Sequence, residues 1–300
     1  MGVLPAILVP LIVLQVVTVP TAETANILFL SFSSSRSHQL VYEPLLLELA
    51  GRGHIVTLVS PVPASRTHQN LRQIITPNIE SHLDHHAQAV FARQQSPSKS
   101  LLAVPTPFLS GEKYTSICRA AYADARVLAL KDEQFDLVFL KNFLNECTYG
   151  LAHVLNTTTI LTTTFPAFRW NAETFGAFYP TSFVPSLLVT YSDRMSFFQR
   201  VVNFVAEIVN YAMRQFLFVP KMEAVYRDVL GQEIPSVSEI ESNASLLFMN
   251  SDFTLTYPRP HMPDMIEIAG LHCVDPKPLP DVRTISAVYH CSLELFTMCY

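Results

Sequence analysis

The chain has 300 residues, of which 49% are hydrophobic and 15% charged, and its formal net charge is −5. This length suits about two domains, and the composition supplies ample apolar material for a large core. The acidic balance excludes a sequence-independent nucleic-acid binder, which would carry a basic surface, and the low count of 8 glycines excludes fibrous and low-complexity classes.

The start of the chain forms a separate segment, in which residues 3–19 are almost purely aliphatic. This pattern predicts a secretory signal peptide over residues 1–22, with an uncleaved N-terminal anchor as the alternative. Either interpretation delivers the rest of the chain to the secretory lumen. Two glycosylation sequons, which begin at Asn156 and Asn243, are compatible with that route.

The residue types that bind metals are present but poorly spaced. The five cysteines are too scattered for a metal site or a disulfide-built scaffold, and we interpret them as core thiols with room for one bridge. The cluster of His82, Asp84, His85 and His86 lacks the paired ligand motifs that fix a tetrahedral zinc ion. A polar loop or helix face is the favoured interpretation, so the sequence predicts no metal site.

A strand–helix–strand unit follows the N-terminal segment. Residues 26–33 form a continuous apolar run typical of a strand buried on both faces. Leucines within residues 40–50 share one helix face, and residues 55–60 form a second buried strand. Such a unit begins a parallel α/β sheet.

The same pattern recurs along the chain. Short strands are predicted over residues 136–140, 158–163 and 245–249, and a helix over residues 145–155. Residues 252–280 are rich in proline and are predicted to form an extended connection. Together these elements predict an α/β fold with a Rossmann-like parallel sheet flanked by helices.

Residues 195–219 carry a broad apolar stripe at helical spacing. Its members are Phe197, Val201, Phe204, Val205, Ile208, Val209, Ala212 and Phe216. The favoured interpretation is a helix whose stripe faces the protein core, and the alternative is an interfacial helix that lies on a membrane.

His38 is the sharpest candidate for chemistry. It follows a buried strand and a serine-rich loop, at the start of the next predicted helix. Open α/β sheets bind ligands at the carboxyl ends of their strands, and a positive helix end favours the neutral imidazole that a general base needs. A loop histidine without a role is the alternative that these residues alone leave open.

Four stretches resemble one family in its own order. His38 lies in SRSHQLVYEPLLLELAGRGHIVTLVSP, and FDLVF, FVPSLLVTYSDRMSFFQRV and MNSDFTLTYPRPHMPDMIEIAGLHC follow at residues 135–139, 183–201 and 249–273. Over residues 26–280 the chain resembles the eukaryotic UDP-glycosyltransferases, especially the insect members of the glucuronosyltransferase-like branch.

The resemblance implies the N-terminal half of a GT-B fold. One Rossmann-like domain, here residues 23–280, would bind a small lipophilic hydroxyl acceptor, and a second domain would bind the UDP-sugar co-substrate. It also implies that His38 removes the hydroxyl proton as the acceptor oxygen attacks the anomeric carbon with inversion. An enzyme of this kind is expected in the lumen of the endoplasmic reticulum, associated with the membrane, without a cofactor and without a nucleic-acid partner.

The resemblance further implies a carboxylate that stabilises the imidazolium. Better-known members carry an aspartate in a stretch like FADA, shortly after the strand that corresponds to residues 136–140. This chain has Leu-Lys-Asn at residues 140–142. Glu146 is the predicted partner of the histidine, with a first-turn helix acid or a differently built dyad as alternatives, and Asp136 is expected to mark the strand entrance.

Acceptor recognition is expected from the aromatic stretch 165–179, because apolar walls with few polar anchors suit small lipophilic compounds. The candidate acceptor-binding residues are Phe168, Trp170, Phe175 and Phe178. A core position is the alternative role for each of them.

In the family, a donor-binding signature and a membrane anchor follow the block that ends near residue 280. Residues 281–300 resemble neither, which predicts a divergent tail that arises from a frame change, a retained intron or an alternative exon. We expect little transfer from the isolated chain, because transfer needs donor and acceptor held together.

Three functions stay open at this point. The first is a UDP-glycosyltransferase with His38 as base. The second is a non-catalytic lumenal acceptor-binding or regulatory partner that associates with full-length relatives or with other copies. The third is a secreted carrier of small apolar ligands.

Overall fold

The computed structural model describes residues 23–77 and 107–273, apart from residues 187, 190 and 255. The predicted signal peptide, the cluster around His82 and the predicted tail 281–300 lie outside these residues. The strands are β1 Asn26–Leu30, β2 Ile55–Ser60, β3 Leu71–Ile75, β4 Leu137–Lys141, β5 Thr158–Thr163, β6 Leu246–Met249 and β7 Met265–Glu267. They form one seven-stranded sheet in the order β3-β2-β1-β4-β5-β6-β7, and every neighbouring pair is parallel.

Helices cover both faces of this sheet, so the predicted Rossmann-like α/β fold is confirmed. The α-helices are α1 Arg36–Gly51, α2 Gly111–Tyr122, α3 Ala125–Leu128, α4 Tyr149–Leu155, α5 Arg169–Thr174, α6 Phe197–Met213, α7 Val219–Leu230 and α8 Val237–Ser242. A π-helical turn, Arg214–Phe218, joins α6 to α7, and 3-10 turns occupy Pro107–Ser110, Ala129–Asp132 and Glu146–Thr148.

The two faces of β1 belong to different apolar clusters. Ile27 and Phe29 pack in a cluster with Tyr42 of α1, whereas Leu28 and Leu30 join the larger cluster formed with α2, α4 and α7. Successive strand residues point to opposite faces, so a parallel sheet that is covered on both sides needs apolar residues at every position. This need explains why the strand reads as a continuous apolar run.

Helices α4 and α7 approach closely at Gly150. A Cβ atom at this glycine would lie 2.6 Å from Cβ and Cγ of Tyr226 in α7. Because real Cβ atoms do not approach that closely, only glycine allows this separation of the two helices.

Two strands were absent from the sequence prediction. β3 was not recognised, and β7 lies inside residues 252–280, which were predicted to be an extended connection without a strand. β7 is only three residues long and extends the sheet beside β6. Short edge strands carry too few residues to show a periodic pattern.

The favoured prediction for the apolar stripe of residues 195–219 was wrong. Phe197 and Phe216 are 74% and 76% exposed, and the other members of the stripe that α6 carries largely face solvent too. Helix α6 buries a mainly polar face: Asn203, Ala206, Glu207 and Asn210. The reason is local, because Asn203 hydrogen-bonds to the backbone of the preceding segment. No helix in the described part of the chain is long and apolar enough to cross a bilayer.

Candidate functional site

The topological switch point of the sheet lies between β1 and β4. The chain proceeds from β1 through β2 to β3 on one side and then continues at β4 on the other side of β1. Such a reversal opens a crevice at the carboxyl ends of the two strands, where doubly wound folds bind their ligands. His38 in the first turn of α1 and Lys141 at the end of β4 both belong to this edge.

Three buried hydrogen bonds fix the loop between β1 and α1. The backbone N–H of Ser33 donates to Asn145 Oδ1 at 2.7 Å, and Asn145 Nδ2 donates back to the Ser33 carbonyl at 2.7 Å. Lys141 Nζ donates to the same carbonyl at 2.6 Å. The end of β4 and the turn after it therefore hold the loop that leads to His38.

His38 is half-buried and packs edge-to-face against Phe165, with ring centroids 5.5 Å apart. Burial, and secondarily the positive charge of Lys141, lower the pKa of His38 to about 3. The imidazole is therefore neutral at physiological pH, which is the form that can accept a hydrogen bond from a hydroxyl group.

Lys141 occupies the stretch in which better-known relatives were expected to carry an aspartate. Its side chain is buried, and burial lowers its pKa to about 7, with Glu146 opposing that shift. A group with this pKa is charged below neutral pH and neutral above it. Lys141 was not predicted as a site residue, although a lysine at the end of an otherwise apolar strand was a visible signal.

The structure does not bring Glu146 to His38. Glu146 lies in a buried 3-10 turn, and its Oε1 accepts from Arg214 Nε at 3.2 Å. Within the described residues, neither an ion pair nor a hydrogen bond joins His38 to a carboxylate. Asp136 accepts from the Asn26 backbone N–H at 2.7 Å, so it does mark the entrance of β4, away from the crevice.

Glu146 belongs instead to a buried charge cluster. Arg214 also donates from Nη2 to Glu241 Oε1 at 2.6 Å, and its guanidinium lies 4.8 Å from the ring centre of Trp170. Asn142 Nδ2 donates to the same oxygen of Glu241 at 3.0 Å. One arginine thus bridges two carboxylates beneath the crevice, and sequence spacing carried no sign of it.

Of the predicted acceptor residues, Phe168 and Trp170 lie in an aromatic group that reaches His38. Their rings stack with centroids 4.3 Å apart, and Phe165 connects them to His38 through contacts of 5.6 Å to Phe168 and 5.5 Å to the imidazole. Phe143, which the sequence analysis did not select, stacks on Phe168 at 5.2 Å. These side chains form an apolar wall beside the histidine.

The other two predicted acceptor residues lie in different settings. Phe175 is buried in the larger apolar cluster, to which Phe168 and Trp170 also belong, whereas Phe178 is 73% exposed. Neither makes a ring contact with the aromatic group at His38 within the described residues. Sequence distance alone placed all four aromatics together, but the turn that ends α5 separates them.

The two sequons lie at the opposite edge of the sheet. Asn156 precedes β5 and Asn243 precedes the start of β6, and both are exposed. They line one depression together with Thr158, the hydroxyl residue of the first sequon. Carbohydrate at either position would stand away from the His38 crevice.

Metal chemistry finds no support in the part of the chain that is described. No group of three or more His, Cys, Asp or Glu side chains in it is placed to hold an ion. The cluster at His82, His85 and His86 lies outside those residues.

Comparisons with known proteins give a consistent result. A family model described as UDP-glucoronosyl and UDP-glucosyl transferase matches residues 27–288. UDP-glucosyltransferase 2 of Dactylopius coccus is 28% identical over 273 residues, which cover 88% of this chain and 51% of that protein. UDP-glucuronosyltransferase 1A10 of Homo sapiens is 29% identical over 283 residues, which cover 91% of this chain and 52% of that protein. The solved structure of the calicheamicin glycosyltransferase CalG4 is similar with a TM-score of 0.45 and 17% identity, covering 82% of this chain and 53% of that chain.

The strand order defines a Rossmann-like α/β domain whose switch point lies between β1 and β4. The chain belongs to the UDP-glucoronosyl and UDP-glucosyl transferase family, whose model matches most of its length. The match extends to residue 288, past the predicted boundary at residue 280. The chain spans about half the length of the curated relatives it matches.

Proposed function

We propose that this chain is the acceptor-binding part of a UDP-glycosyltransferase that glycosylates the hydroxyl group of a small lipophilic compound. The observation that carries the proposal is a neutral imidazole, His38, at the switch point of the sheet and against the aromatic wall of Phe165 and Phe168. The names of the relatives, a UDP-glucosyltransferase and a UDP-glucuronosyltransferase, support a UDP-sugar as donor.

In this proposal the acceptor hydroxyl donates a hydrogen bond to the His38 ring. As the acceptor oxygen attacks the anomeric carbon, its proton passes to the imidazole. The bond between the anomeric carbon and the diphosphate oxygen breaks on the opposite face, and UDP leaves with the electron pair. An α-linked donor therefore gives a β-glycoside.

Lys141 makes the proton transfer dependent on its own charge. An ammonium near His38 disfavours the imidazolium that the reaction forms, whereas a neutral amine does not. Because the pKa of Lys141 is lowered to about 7, proton uptake by His38 is favoured above neutral pH. The position near which other family members carry the stabilising carboxylate thus holds, in this chain, a group that opposes the imidazolium when charged and does not oppose it when neutral.

The aromatic wall offers a direct binding test. Trp170 is the single tryptophan of the chain and stacks on Phe168, so its fluorescence reports on the crevice. We expect a phenolic acceptor to quench this emission, and Phe165→Leu to weaken binding severalfold, while Phe253→Leu, at a residue that is 67% exposed, leaves binding unchanged. Equal affinity in both variants would contradict the assignment of the wall.

Chemistry is tested separately with a radiolabelled UDP-sugar. We expect the 300-residue chain to bind acceptor, and any transfer that it catalyses to require a donor held in line with that acceptor. In a full-length relative that carries these residues, His38→Ala should abolish transfer and leave acceptor binding in place. Transfer that survives His38→Ala would remove the histidine from the mechanism.

A second candidate function is a non-catalytic lumenal acceptor-binding or regulatory partner of full-length relatives. The aromatic group at His38, which could bind an acceptor without any contribution from the donor, favours it. Co-expression with a full-length relative distinguishes the two functions. A regulatory partner would change the acceptor KM or the rate of that enzyme, and His38→Ala in this chain would leave the effect intact.

The proposed location is the lumen of the endoplasmic reticulum, with membrane association, or the secreted fraction. Exposure of Asn156 and Asn243 at the edge away from the crevice supports glycosylation there. In secretory expression, Asn156→Gln and Asn243→Gln should each remove one endoglycosidase-sensitive increment of mass. A chain without such increments would contradict lumenal delivery.

A further inference from the structure

Helix α6 presents its apolar side to solvent and its polar side to the protein. Its buried face carries Asn203, Glu207 and Asn210, whereas Phe197, Phe198 and Phe204 are 74%, 77% and 50% exposed. Surface helices of globular proteins have the opposite arrangement. We expect the exposed apolar side chains of such a helix to contact an apolar medium, because contact with water is unfavourable for them.

The inverted orientation is fixed by buried polar contacts. Asn203 Oδ1 accepts from the Ser186 N–H at 2.6 Å, and Asn203 Nδ2 donates to the carbonyls of Thr181 and Val184 at 2.7 and 2.9 Å. At the end of the helix, Arg214 is held by Glu146 and Glu241. Rotating α6 to bury its phenylalanines would expose or orphan these groups, which is costly for buried polar atoms.

Within residues 197–217 every exposed side chain except that of Arg200 is apolar. The exposed apolar residues, which we call the α6 apolar face, are Phe197, Phe198, Val201, Phe204, Val205, Ile208, Val209, Phe216 and Leu217. They extend over 21 positions, about 30 Å at a helical rise of 1.5 Å per residue. Nine large exposed apolar side chains on one helix and the turn after it exceed the singly scattered apolar residues of an ordinary surface.

The composition of the α6 apolar face favours a lipid phase over a protein. Protein interfaces concentrate phenylalanine, tyrosine, tryptophan, methionine and arginine, and their strongest contacts come from tryptophan, tyrosine and arginine, which combine contact area with polar anchors. This face consists only of phenylalanine and aliphatic side chains, which need an apolar medium but no matching shape. Arg200 is the exposed charged residue of α6, and Glu207, the one carboxylate of the helix, is buried.

We propose that the α6 apolar face lies on a lipid bilayer, with the helix parallel to the membrane surface and Arg200 at the level of the lipid phosphates. Interfacial helices insert one apolar face at the boundary between headgroups and acyl chains, and basic residues strengthen binding to anionic lipids. The predicted leader delivers the chain to a membrane-bound compartment, where such a surface is available. The crevice would then open close to the phase in which lipophilic acceptors dissolve.

The test places a fluorescent reporter in the face. Phe198→Trp and the control Phe253→Trp, at a position that is 67% exposed, are each made in the full chain, so that both keep the N-terminal apolar segment. The emission of the wild-type chain, which comes from Trp170 alone, is subtracted from that of each variant. Vesicles of phosphatidylcholine and phosphatidylserine with brominated acyl chains are the probe. We expect the indole at position 198 to shift to the blue and to be quenched, and the indole at position 253 to show neither change.

Two further variants report on the face and on its charge. Phe198→Ser combined with Phe204→Ser should lower vesicle partitioning roughly tenfold, because two large apolar side chains are lost. Arg200→Gln should weaken binding to vesicles that contain phosphatidylserine and leave binding to pure phosphatidylcholine unchanged. Circular dichroism and the emission of Trp170 check that each variant is folded.

Several outcomes would overturn the proposal. Quenching at position 198 that does not exceed quenching at position 253 would show that the face stays in water. An indole at position 198 that is already blue-shifted without vesicles would show that the face is covered by protein. Sedimentation velocity would then identify a second copy as the occupant if the species is a dimer, and the chain itself if it is a monomer.

Discussion

Lys141 places a titratable ammonium in a buried position, and its folded-state pKa of about 7 lies below its ordinary value of 10.5. Between these values the unfolded chain binds more protons than the folded chain, so the free energy of unfolding rises with pH. The expected slope is about 1.4 kcal/mol per pH unit from pH 7 towards pH 10. Lys141→Met should remove this slope and be more stable than the wild type near pH 6.

Urea unfolding at several pH values measures the slope. Lys131→Met is the matched control, because Lys131 is exposed, and its slope should equal that of the wild type. An unchanged slope in Lys141→Met would mean that the lysine is solvated in solution. The proposed dependence of His38 on its charge would then lose its basis.

A residue of the candidate site could be predicted from sequence only where its place after a strand determines its function. His38 follows a buried strand directly, so the rule for parallel sheets located it. The partner of Glu146 could not be found in this way, because Arg214 is 68 residues away in sequence and meets Glu146 only after α6 and α7 have packed. Lys141 departs from the aspartate expected of the family, and only its burial in the fold shows the consequence.

The π-helical turn between α6 and α7 depends on the Arg214 charge cluster. Arg214→Met should leave Glu146 and Glu241 buried without a cation, and we expect a loss of roughly 3–5 kcal/mol in unfolding free energy. Burial raises the pKa of Glu241, so protonation of this carboxylate should make the deficit smaller at pH 5 than at pH 8. Denaturant unfolding at the two pH values measures both effects.

Arg119 provides a control with the same chemistry at the surface. It pairs with Asp228 at 2.7 Å, and both side chains are largely exposed. Arg119→Met should change stability by less than about 1 kcal/mol, because solvent screens the pair. Similar losses in the two variants would contradict a specific role for the buried cluster.

The contact between α4 and α7 predicts a strong effect of a single methyl group. In Gly150→Ala the new Cβ would overlap Tyr226, so the helices must separate, and we expect a loss of at least about 1–3 kcal/mol. Gly51→Ala at the end of α1 is the control, because a Cβ there meets nothing within 4 Å. Thermal unfolding should show a lower Tm for the first variant and no decrease for the second.

The sequence showed which segments form strands and helices, through the spacing of their apolar residues, but it did not show which way a helix faces. β2 and β5 were located at both ends because buried parallel strands are continuous apolar runs between breakers. The stripe of α6 was recognised as helical, but periodicity does not say what the stripe faces. Its orientation is decided by Asn203, whose partners lie in the preceding segment and become visible only in the fold.

A disulfide links distant parts of the whole molecule. Cys118 in α2 and Cys147 in the turn after β4 are bonded, with Cα atoms 6.2 Å apart and a sequence separation of 29. The sequence analysis left room for one bridge but could not pair the cysteines. The bond ties the helical layer to the turn whose Asn145 holds the Ser33 loop. It also favours an oxidising compartment, in agreement with the proposed lumenal location.

Loss of this bridge should destabilise the chain by roughly 3–4 kcal/mol, the loop-closure entropy for about 29 residues. The comparison is between Cys118→Ala combined with Cys147→Ala and the wild type, each unfolded in urea with and without reductant. With reductant, the unfolding free energy of the wild type should fall to that of the double variant. The unfolding free energy of the double variant should be the same with and without reductant. Cys273→Ser, at an exposed thiol that is not bonded to another described cysteine, should behave as the wild type does. If reductant leaves the wild type unchanged, the two thiols are not bonded in solution, and the argument from redox compartment to lumenal location fails with it.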